Sequence, residues 1–246
     1  LIMVIDDNKD MRLYLRDYLM DTYQVRLAAK GETGIQEAIE KIPDLIISDV
    51  MMPGMDGYEL SSRLKTDIRT SHIPVILLTA RQSEQSHKQG LETGADDYIT
   101  KPFNMELLRL RIQNLLDNRQ RVHRFFHQNS NSIEVDDLDI GVFDKDFLDK
   151  AFKTITSNIE NEHFSVEEFA GEMALSRTQL YRKLKALTGK TPNRLIKISR
   201  MTRAAEMLRE KQMTVSEVAY KTGFKDIAHF SRSFQQFFGK NPSEFR

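Results

Sequence analysis

The chain has 246 residues, of which 40% are hydrophobic and 29% are charged, and it contains no cysteine. This composition is typical of one or two folded domains and excludes a disordered chain, disulfides and thiolate metal sites. No apolar run approaches the roughly 18 residues that a membrane span requires. We therefore expect a cytoplasmic location. The sequence starts at Leu1 inside an apolar run. We therefore also expect that it is a fragment of a longer protein, and an anchor in the inner membrane is one hypothesis for the full-length chain.

The net charge of zero conceals two halves of opposite sign. Residues 1–144 contain 17 Lys+Arg and 24 Asp+Glu, a balance of −7, whereas residues 145–246 contain 19 and 12, a balance of +7. An acidic half joined to a basic half predicts two domains, the second of which faces a polyanion.

The first half alternates short apolar runs with amphipathic helical patterns. The runs are residues 1–5, 25–28, 45–48, 75–79 and 98–99. Five strands alternating with helices favour an α/β domain with a five-stranded parallel, doubly wound sheet that is covered on both faces.

The last helix of this domain begins after Asn104, a favourable N-cap residue. Its apolar spacing continues to Phe126, with a break at Arg119. We expect core packing for the first half of this helix. For the second half the sequence leaves the packing open, and a short dimer seam is one alternative.

A polar and acidic segment without helical period, residues 127–144, is the predicted linker. It separates a domain of residues 1–126, whose last helix is extended, from an all-helical domain of residues 145–246. Gly and Pro interrupt the helical patterns of the second domain.

The second domain contains an internal repeat. The segment SVEEFA, which starts at Ser165, recurs as TVSEVA at Thr214, and GKTP at Gly189 recurs as GKNP at Gly239. Each copy predicts a short helix, a turn and a longer helix that ends at the glycine. The repeat therefore predicts two helix-turn-helix units, at residues 165–189 and 214–239.

Pro192 is well placed to begin a helix that connects the two units and ends near Lys211. At ~1.5 Å per residue such a helix spans roughly 30 Å, close to one turn of B-DNA. The apolar residues on one face of this helix are Leu195, Ile198, Met201, Ala205 and Leu208.

Polar side chains follow four of the predicted strands at their carboxyl ends. They are Asp6 and Asp7 after the first strand, Asp49 after the third, Thr79 at the end of the fourth and Lys101 after the fifth. These ends meet at one edge of an open parallel sheet, where ligands bind. Three converging carboxylates repel one another and need a cation, and their oxygen atoms suit Mg²⁺. A carboxylate in such a site can attack phosphorus to form an aspartyl phosphate. Taken singly, Asp7 could simply cap the next helix.

Residues 1 to about 120 resemble a response-regulator receiver domain. The matching segments are IDD at 5–7, DVMMPGMDG at 49–57, LTA at 78–80, GADDY at 94–98 and KPF at 101–103. The resemblance implies a flavodoxin-like strand order and phosphorylation of Asp49 by a histidine kinase. It implies a Mg²⁺ ligand set of Asp6, Asp7, Asp49 and the backbone carbonyl of Met51. It also implies that Thr79 and Lys101 sense the phosphoryl group, that Tyr98 is an aromatic switch residue, and that the Lys101–Pro102 bond is cis.

A phosphatase of the haloacid-dehalogenase type is the rival interpretation of the same acidic pattern. Such enzymes carry an acid/base aspartate two residues after the nucleophile, where this chain has Met51. Without a positioned acid or base the phosphoryl group is expected to be held rather than turned over. We therefore predict that the protein is not an enzyme.

Residues 145–246 resemble the DNA-binding domain of the AraC/XylS family. The resemblance is carried by LSRTQLYRKLK at 175–185, VAYKTGF at 218–224, FSRSF at 230–234 and FGKNP at 238–242. Recognition helices place polar side chains in the major groove and basic ones on phosphates. Because leucines and phenylalanines occupy the core side of each helix, the outward residues are the predicted DNA contacts. They are Arg177, Thr178, Tyr181, Arg182 and Lys185 in the first helix, and Ala228, His229, Ser231 and Arg232 in the second.

A receiver followed by a domain of this type resembles the output end of hybrid two-component sensors, in which a histidine kinase precedes the receiver in the same polypeptide. A free-standing response regulator with a separate kinase is the alternative. We expect a sequence-specific regulator that binds double-stranded DNA and forms a homodimer on phosphorylation. An activator that contacts RNA polymerase is one hypothesis for its output, and the sequence leaves open whether it activates or represses.

Overall fold

A computed structural model describes residues 1–80, 94–128 and 140–245 of the chain. It divides into two compact units. The sheet unit comprises Leu1–Arg121 with Gly141–Asp144, and the helical unit comprises Val122–Ile140 with Lys145–Arg246. Most of the predicted linker, residues 129–139, lies outside the described residues.

The sheet unit is an α/β domain with a parallel five-stranded sheet. Its strands are β1 (Ile2–Ile5), β2 (Val25–Ala28), β3 (Leu45–Asp49), β4 (Val75–Thr79) and β5 (Asp97–Thr100). Its helices are α1 (Lys9–Leu19), α2 (Gly31–Lys41), α3 (Gly57–Thr66) and the first part of α4 (Met105–Gln128). The strand order is β2-β1-β3-β4-β5, with every pair parallel, which confirms the predicted doubly wound fold.

Both faces of the sheet are covered, because successive strand residues point to opposite sides. Ile2 and Val4 pack into one buried cluster with Leu15 and Leu108, whereas Met3 and Ile5 pack into another on the opposite face. This explains why the strands are continuous apolar runs rather than alternating ones.

Helix α4 begins after Asn104, whose side chain accepts a hydrogen bond from Glu106 N at 2.7 Å. From Val122 onward the helix belongs to the helical unit, where Val122 and Phe126 are buried. The Phe126 ring stacks on Phe152, with centroids 6.0 Å apart. The alternative of a dimer seam was therefore wrong for these two side chains, since they pack inside a single chain.

Both ends of the segment predicted as a linker are helical. The backbone of α4 reaches Gln128, and helix α5 (Val142–Ser157) begins before residue 145. Asp144 in its first turn is buried in the sheet unit, where its Oδ1 accepts a hydrogen bond from Ser71 Oγ at 2.9 Å. The polar and acidic sequence around Asp144 had predicted a linker without helical structure. A buried carboxylate with a hydroxyl donor can instead anchor the start of a helix.

The helical unit contains the two predicted helix-turn-helix units. The first is α6 (Val166–Glu172) with α7 (Arg177–Thr188), and the second is α9 (Val215–Lys221) with α10 (Ile227–Phe238). Ser165 and Thr214 form capping boxes at the starts of α6 and α9, each with a glutamate three residues later. Gly189 and Gly239 end α7 and α10 in the left-handed conformation.

The connecting helix α8 (Pro192–Glu210) has the predicted start and end. Thr191 is its N-cap, and Lys211, at φ 57°, is its C-cap. The five apolar residues of the predicted face are all buried. A 3₁₀ turn at Pro242–Glu244 closes the described part of the chain, in which no helix is long and apolar enough to cross a membrane.

Candidate functional site

Three carboxylates meet at the carboxyl edge of the sheet. Asp6 and Asp7 follow β1 and Asp49 ends β3, and these strands are neighbours with Ile5 opposite Ser48. Each aspartate offers an oxygen atom that lies within 4.8 Å of those of the other two. Asp6 and Asp49 are buried, whereas Asp7 is exposed. The fold therefore brings together residues 6, 7 and 49 as the strand order predicts.

Lys101 contributes a cation to the same place. Its Nζ lies 3.0 Å from Asp49 Oδ2 and 3.4 Å from Asp6 Oδ2. Its backbone N–H donates to the carbonyl of Thr79 at 2.6 Å, which fixes the lysine beside the end of β4. The Lys101–Pro102 bond is cis, as predicted.

The electrostatics of the site favour a cation. Burial raises the pKa of Asp6, and repulsion from Asp49 adds to this effect. The backbone N–H of Asn8 and the ammonium of Lys101 act in the opposite direction but do not cancel it. Desolvated carboxylates that repel one another are stabilised by a metal, and an all-oxygen donor set suits Mg²⁺.

Asp7 does not cap helix α1. Asn8 is the N-cap, and its side chain accepts hydrogen bonds from Asp10 N at 2.9 Å and Met11 N at 3.2 Å. The capping interpretation of Asp7 was therefore wrong, and its carboxylate stays available at the mouth of the site.

The remaining predicted residues of this site lie around the carboxylates. Met51 is 56% exposed, and its backbone N–H donates to Asp49 Oδ1 at 3.3 Å. Thr79 is buried at the end of β4, where it pairs with Thr100 in register. Tyr98 lies two residues earlier on β5 and is partly buried against the cluster that contains Ile5.

Helix α7 presents one polar face and one apolar face. Leu180, Leu184 and Leu187 are buried. All five predicted contact residues of this helix are exposed, namely Arg177, Thr178, Tyr181, Arg182 and Lys185. Arg177 pairs with Glu167 at 2.8 Å, and Lys185 Nζ donates to the Gly189 carbonyl at 3.0 Å.

Helix α10 has the same division of faces. Phe230 and Phe234 are buried and Phe237 is half-buried. Of the predicted contact residues, Ala228, His229 and Arg232 are exposed and Ser231 is half-buried. The His229 ring lies 5.6 Å from that of Phe224.

Within the described ranges, the aspartate cluster is the only group of three or more potential metal-binding His, Asp or Glu side chains.

Comparison with known sequences identifies both units. A sequence model of the response regulator receiver domain matches residues 2–113, and one of a helix-turn-helix domain matches residues 169–246. The transcriptional regulatory protein AfsQ1 of Streptomyces coelicolor is 34% identical over 177 residues, which cover 72% of this chain and 71% of that protein. This chain belongs to the response-regulator family. Its receiver domain is followed by a helix-turn-helix domain of the AraC type, the domain combination of two-component DNA-binding transcription regulators.

Longer relatives contain the same arrangement or part of it. Histidine kinase P4 of Formosa agariphila is 42% identical over 245 residues, which cover 100% of this response regulator and 18% of that protein. Response regulator PleD of Caulobacter vibrioides is 42% identical over 115 residues, which are 46% of this chain and 25% of that protein. The chain thus spans a quarter or less of the length of these two relatives. A receiver domain of a signal transduction histidine kinase from Syntrophus aciditrophicus has 37% identity and a TM-score of 0.47, covering 49% of this chain and 92% of that one.

Two residues of the response regulator's acidic site were not singled out from the sequence. Arg12 donates from NH1 to the Asp6 carbonyl at 2.6 Å, which holds the end of β1. Gly57 lets the start of α3 approach the end of β3, because a Cβ there would collide with the Asp49 carbonyl oxygen and lie 2.8 Å from Val50 Cα. Gly57 lies in the segment that carries the receiver resemblance, which was its available signal. No feature of the sequence marked Arg12, since its hydrogen-bond partner is a backbone carbonyl.

Proposed function

We propose that this response regulator accepts a phosphoryl group on Asp49 from a histidine kinase, and that phosphorylation controls pairing of protomers and binding to DNA. The observation that carries the proposal is the 3.0 Å approach of Lys101 Nζ to Asp49 Oδ2 inside the carboxylate cluster. A buried nucleophile beside a fixed cation is the arrangement that phosphoryl transfer needs.

In the proposed reaction an Asp49 carboxylate oxygen attacks the phosphorus of a phosphohistidine. A P–O bond forms, the P–N bond breaks, and its electron pair leaves with the imidazole, which takes up a proton from water. Lys101 donates hydrogen bonds to the transferred oxygens, and the hydroxyl of Thr79 is the proposed second donor. Tyr98 is the proposed residue that responds by moving on β5.

The donor set fits Mg²⁺, which when bound neutralises the charge of the carboxylates and of the incoming phosphoryl oxygens. Asp6, Asp7, Asp49 and the backbone carbonyl of Met51 would hold it. The raised pKa of Asp6 supports this assignment, because it reports a carboxylate that is buried without enough positive charge around it.

The phosphoryl group is expected to persist on Asp49 long enough to act as a signal. The residue two positions after Asp49 is Met51, whose side chain can neither donate nor accept a proton. A general acid or base at that position would speed hydrolysis, and Met51 supplies neither. This favours a regulatory role for the site over a phosphatase.

The proposed DNA contacts are the outward side chains of α7 and α10. The cations Arg177, Arg182, Lys185 and Arg232 are all exposed on these helices, which suits contacts to phosphates and base edges. We propose that α7 provides most of the base-specific contacts, because α10 contributes a single cation, Arg232, to this set.

The two helix-turn-helix units are proposed to bind successive segments of the major groove. The connecting helix α8 has 19 residues and so spans roughly 28 Å at ~1.5 Å per residue. One protomer would then read two short boxes about 10 base pairs apart on one face of the DNA. Paired receivers would place two protomers on repeated boxes and raise affinity through effective concentration.

We further propose that the kinase belongs to the same polypeptide. The support is the 42% identity of the whole chain to Histidine kinase P4, a protein more than five times as long as the matched segment. A separate kinase remains the alternative, and contact with RNA polymerase stays a prediction. The full open reading frame distinguishes the two kinase arrangements.

Footprinting with the whole chain tests the proposed control. Wild type and Asp49→Ala, each treated with a small phosphodonor and Mg²⁺, are compared for the extent of the footprint on selected DNA and for mass in solution. We expect phosphorylated wild type to pair and to bind more tightly, and Asp49→Ala to do neither. Unchanged mass and affinity of the phosphorylated wild type would contradict the proposal.

A further inference from the structure

A partly buried guanidinium lies on the connecting helix α8. Arg200 donates a hydrogen bond from NH2 to the backbone carbonyl of Asn161 at 2.6 Å. Its Nε is shielded from solvent and has no hydrogen-bond partner among the described residues. Burial lowers the pKa of the Arg200 guanidinium. The helix thus holds a charge in a place where its solvation is incomplete.

The turn of the second helix-turn-helix unit packs directly against this guanidinium. Gly223, at φ +73°, follows α9 at this turn. A Cβ at this position would lie 2.7 Å from Arg200 NH2 and 2.7 Å from the Ile159 carbonyl oxygen. The backbone carbonyl of Ile159 could not yield to such a Cβ, and the Arg200 guanidinium would have to move away, so the glycine serves both the left-handed backbone and the close approach.

Arg200 contacts segments of both helix-turn-helix units. Its hydrogen-bond partner Asn161 belongs to the loop that leads into Ser165, the N-cap of the first helix-turn-helix unit. Gly223 lies between the two helices of the second unit. Arg200 therefore bridges the entrance of one unit and the turn of the other.

Apolar packing alone could hold these segments together at a lower free-energy cost than a partly buried cation. Burying a charge costs free energy, whereas a planar guanidinium with directed donors fixes orientation. Residues flanking Arg200 on α8, such as Met201 and Leu208, already supply the apolar contacts to the second unit. The guanidinium therefore constrains the relative orientation of these segments through a directed hydrogen bond, rather than adding apolar contact area.

We propose that Arg200 is a positioning residue that sets the orientation of the second helix-turn-helix unit relative to the first, and thereby the spacing between the two DNA boxes that one protomer reads. The inference rests on the proposal that both units bind DNA. It adds a determinant of specificity that touches neither base nor phosphate.

The test uses the whole 246-residue chain and DNA that the wild type itself selects from random-sequence duplexes. From the selected sequence three sets of duplexes are made: both boxes at the selected spacing, both boxes with one or two base pairs added or removed, and one box alone. Affinities are measured for wild type, Arg200→Met and Arg200→Lys. The matched control is Arg203→Met, which removes the same charge from an exposed position on α8, where Arg203 pairs with Glu206 at 3.0 Å.

Wild type is expected to prefer the selected spacing and to bind the one-box duplex more weakly. If the one-box duplex binds as well as the two-box duplex, the two-box proposal itself fails, separately from the role of Arg200. Given that preference, Arg200→Met should lose roughly tenfold in affinity at the selected spacing and discriminate less between spacings, since the second contact is no longer prepositioned. Its affinity for one box should change less than twofold.

Arg200→Lys keeps the charge and most of the stem, and it should show the same loss of spacing preference to a smaller extent. This variant carries the test if Arg200→Met does not fold, as judged from thermal unfolding. Arg203→Met should behave as wild type. The positioning role would be overturned if the affinity of the Arg200 variants depended on box spacing as that of the wild type does. It would also be overturned if these variants lost affinity equally for one-box and two-box duplexes.

Discussion

Lys101 Nζ and Asp49 Oδ2 lie 3.0 Å apart, although one residue follows β5 and the other ends β3. The ammonium group also reaches the buried Asp6, at 3.4 Å. A cation at this position already faces the carboxylate oxygen that is proposed to carry the phosphoryl group. Substitution of each residue tests a different role, since Asp49 is the proposed phosphoryl acceptor and Lys101 the proposed sensor of the phosphoryl group.

Asp49→Asn should abolish phosphorylation. Incubation of wild type with acetyl phosphate and Mg²⁺ should add one base-labile phosphoryl group, detected by intact-protein mass spectrometry, because the carboxylate is the nucleophile. Asp56→Asn is the matched control, since Asp56 is a nearby exposed aspartate that caps α3. A phosphoryl group on the Asp49→Asn protein would show that the acceptor is another residue.

Lys101→Ala should retain some phosphorylation but lose its effect on DNA binding. The lysine is proposed to bind the phosphoryl oxygens rather than to accept the group, so its removal uncouples the two events. Phosphorylation level and DNA affinity are measured on the same samples, with Lys41→Ala, an exposed lysine at the end of α2, as control. An undiminished DNA response in the Lys101→Ala protein would refute the sensing role.

Mg²⁺ should stabilise the sheet unit, and Asp6→Asn should remove much of that effect. A ligand at a hundredfold excess over its Kd stabilises a fold by roughly 2.7 kcal/mol. In the presence of EDTA, Asp6→Asn should unfold at a higher temperature than wild type, because it removes a buried charge whose desolvation raises the Asp6 pKa. Equal gains on adding Mg²⁺ to both proteins, measured by thermal unfolding, would exclude Asp6 as a ligand.

Arg182→Ala should weaken DNA binding by roughly 1–3 kcal/mol and relax the preferred sequence at one position, if Arg182 reads a base edge. Lys153→Ala on α5 is the control, an exposed cation outside both helix-turn-helix units. Affinities are compared on the selected duplex and on single-base variants of it over a range of salt concentrations. A uniform loss across all sequences, with a shallower salt dependence, would identify Arg182 as a phosphate contact instead.

Phe126→Ala should destabilise the helical unit by roughly 3–5 kcal/mol, because Phe126 is buried and stacks on Phe152. Phe125→Ala, which truncates a half-buried ring one residue earlier, should cost less. Chemical denaturation gives both values. If Phe126→Ala instead left stability intact and changed the mass in solution, a dimer seam would be restored as the role of this segment.

The sequence alone determined the elements whose cause is local. Continuous apolar runs identified the strands of a sheet buried on both faces, and the order of Asp6, Asp49 and Lys101 along those strands located the acidic site. Ser165 with Glu168 and the glycine at 189 marked helix ends through hydrogen bonds and backbone angles that involve only neighbours in sequence. Such features are readable because the interacting groups are a few residues apart.

Tertiary structure decided which group covers each apolar or charged side chain. The spacing of Val122 and Phe126 identified an apolar helix face, but a periodic pattern does not specify whether that face meets another chain or Phe152 of its own. The partners of Arg12 and Arg200 are backbone carbonyls, which every residue possesses, so no residue type marked them. Contacts between distant segments depend on how the elements pack in three dimensions, and the sequence pattern of a single element carries no record of that packing.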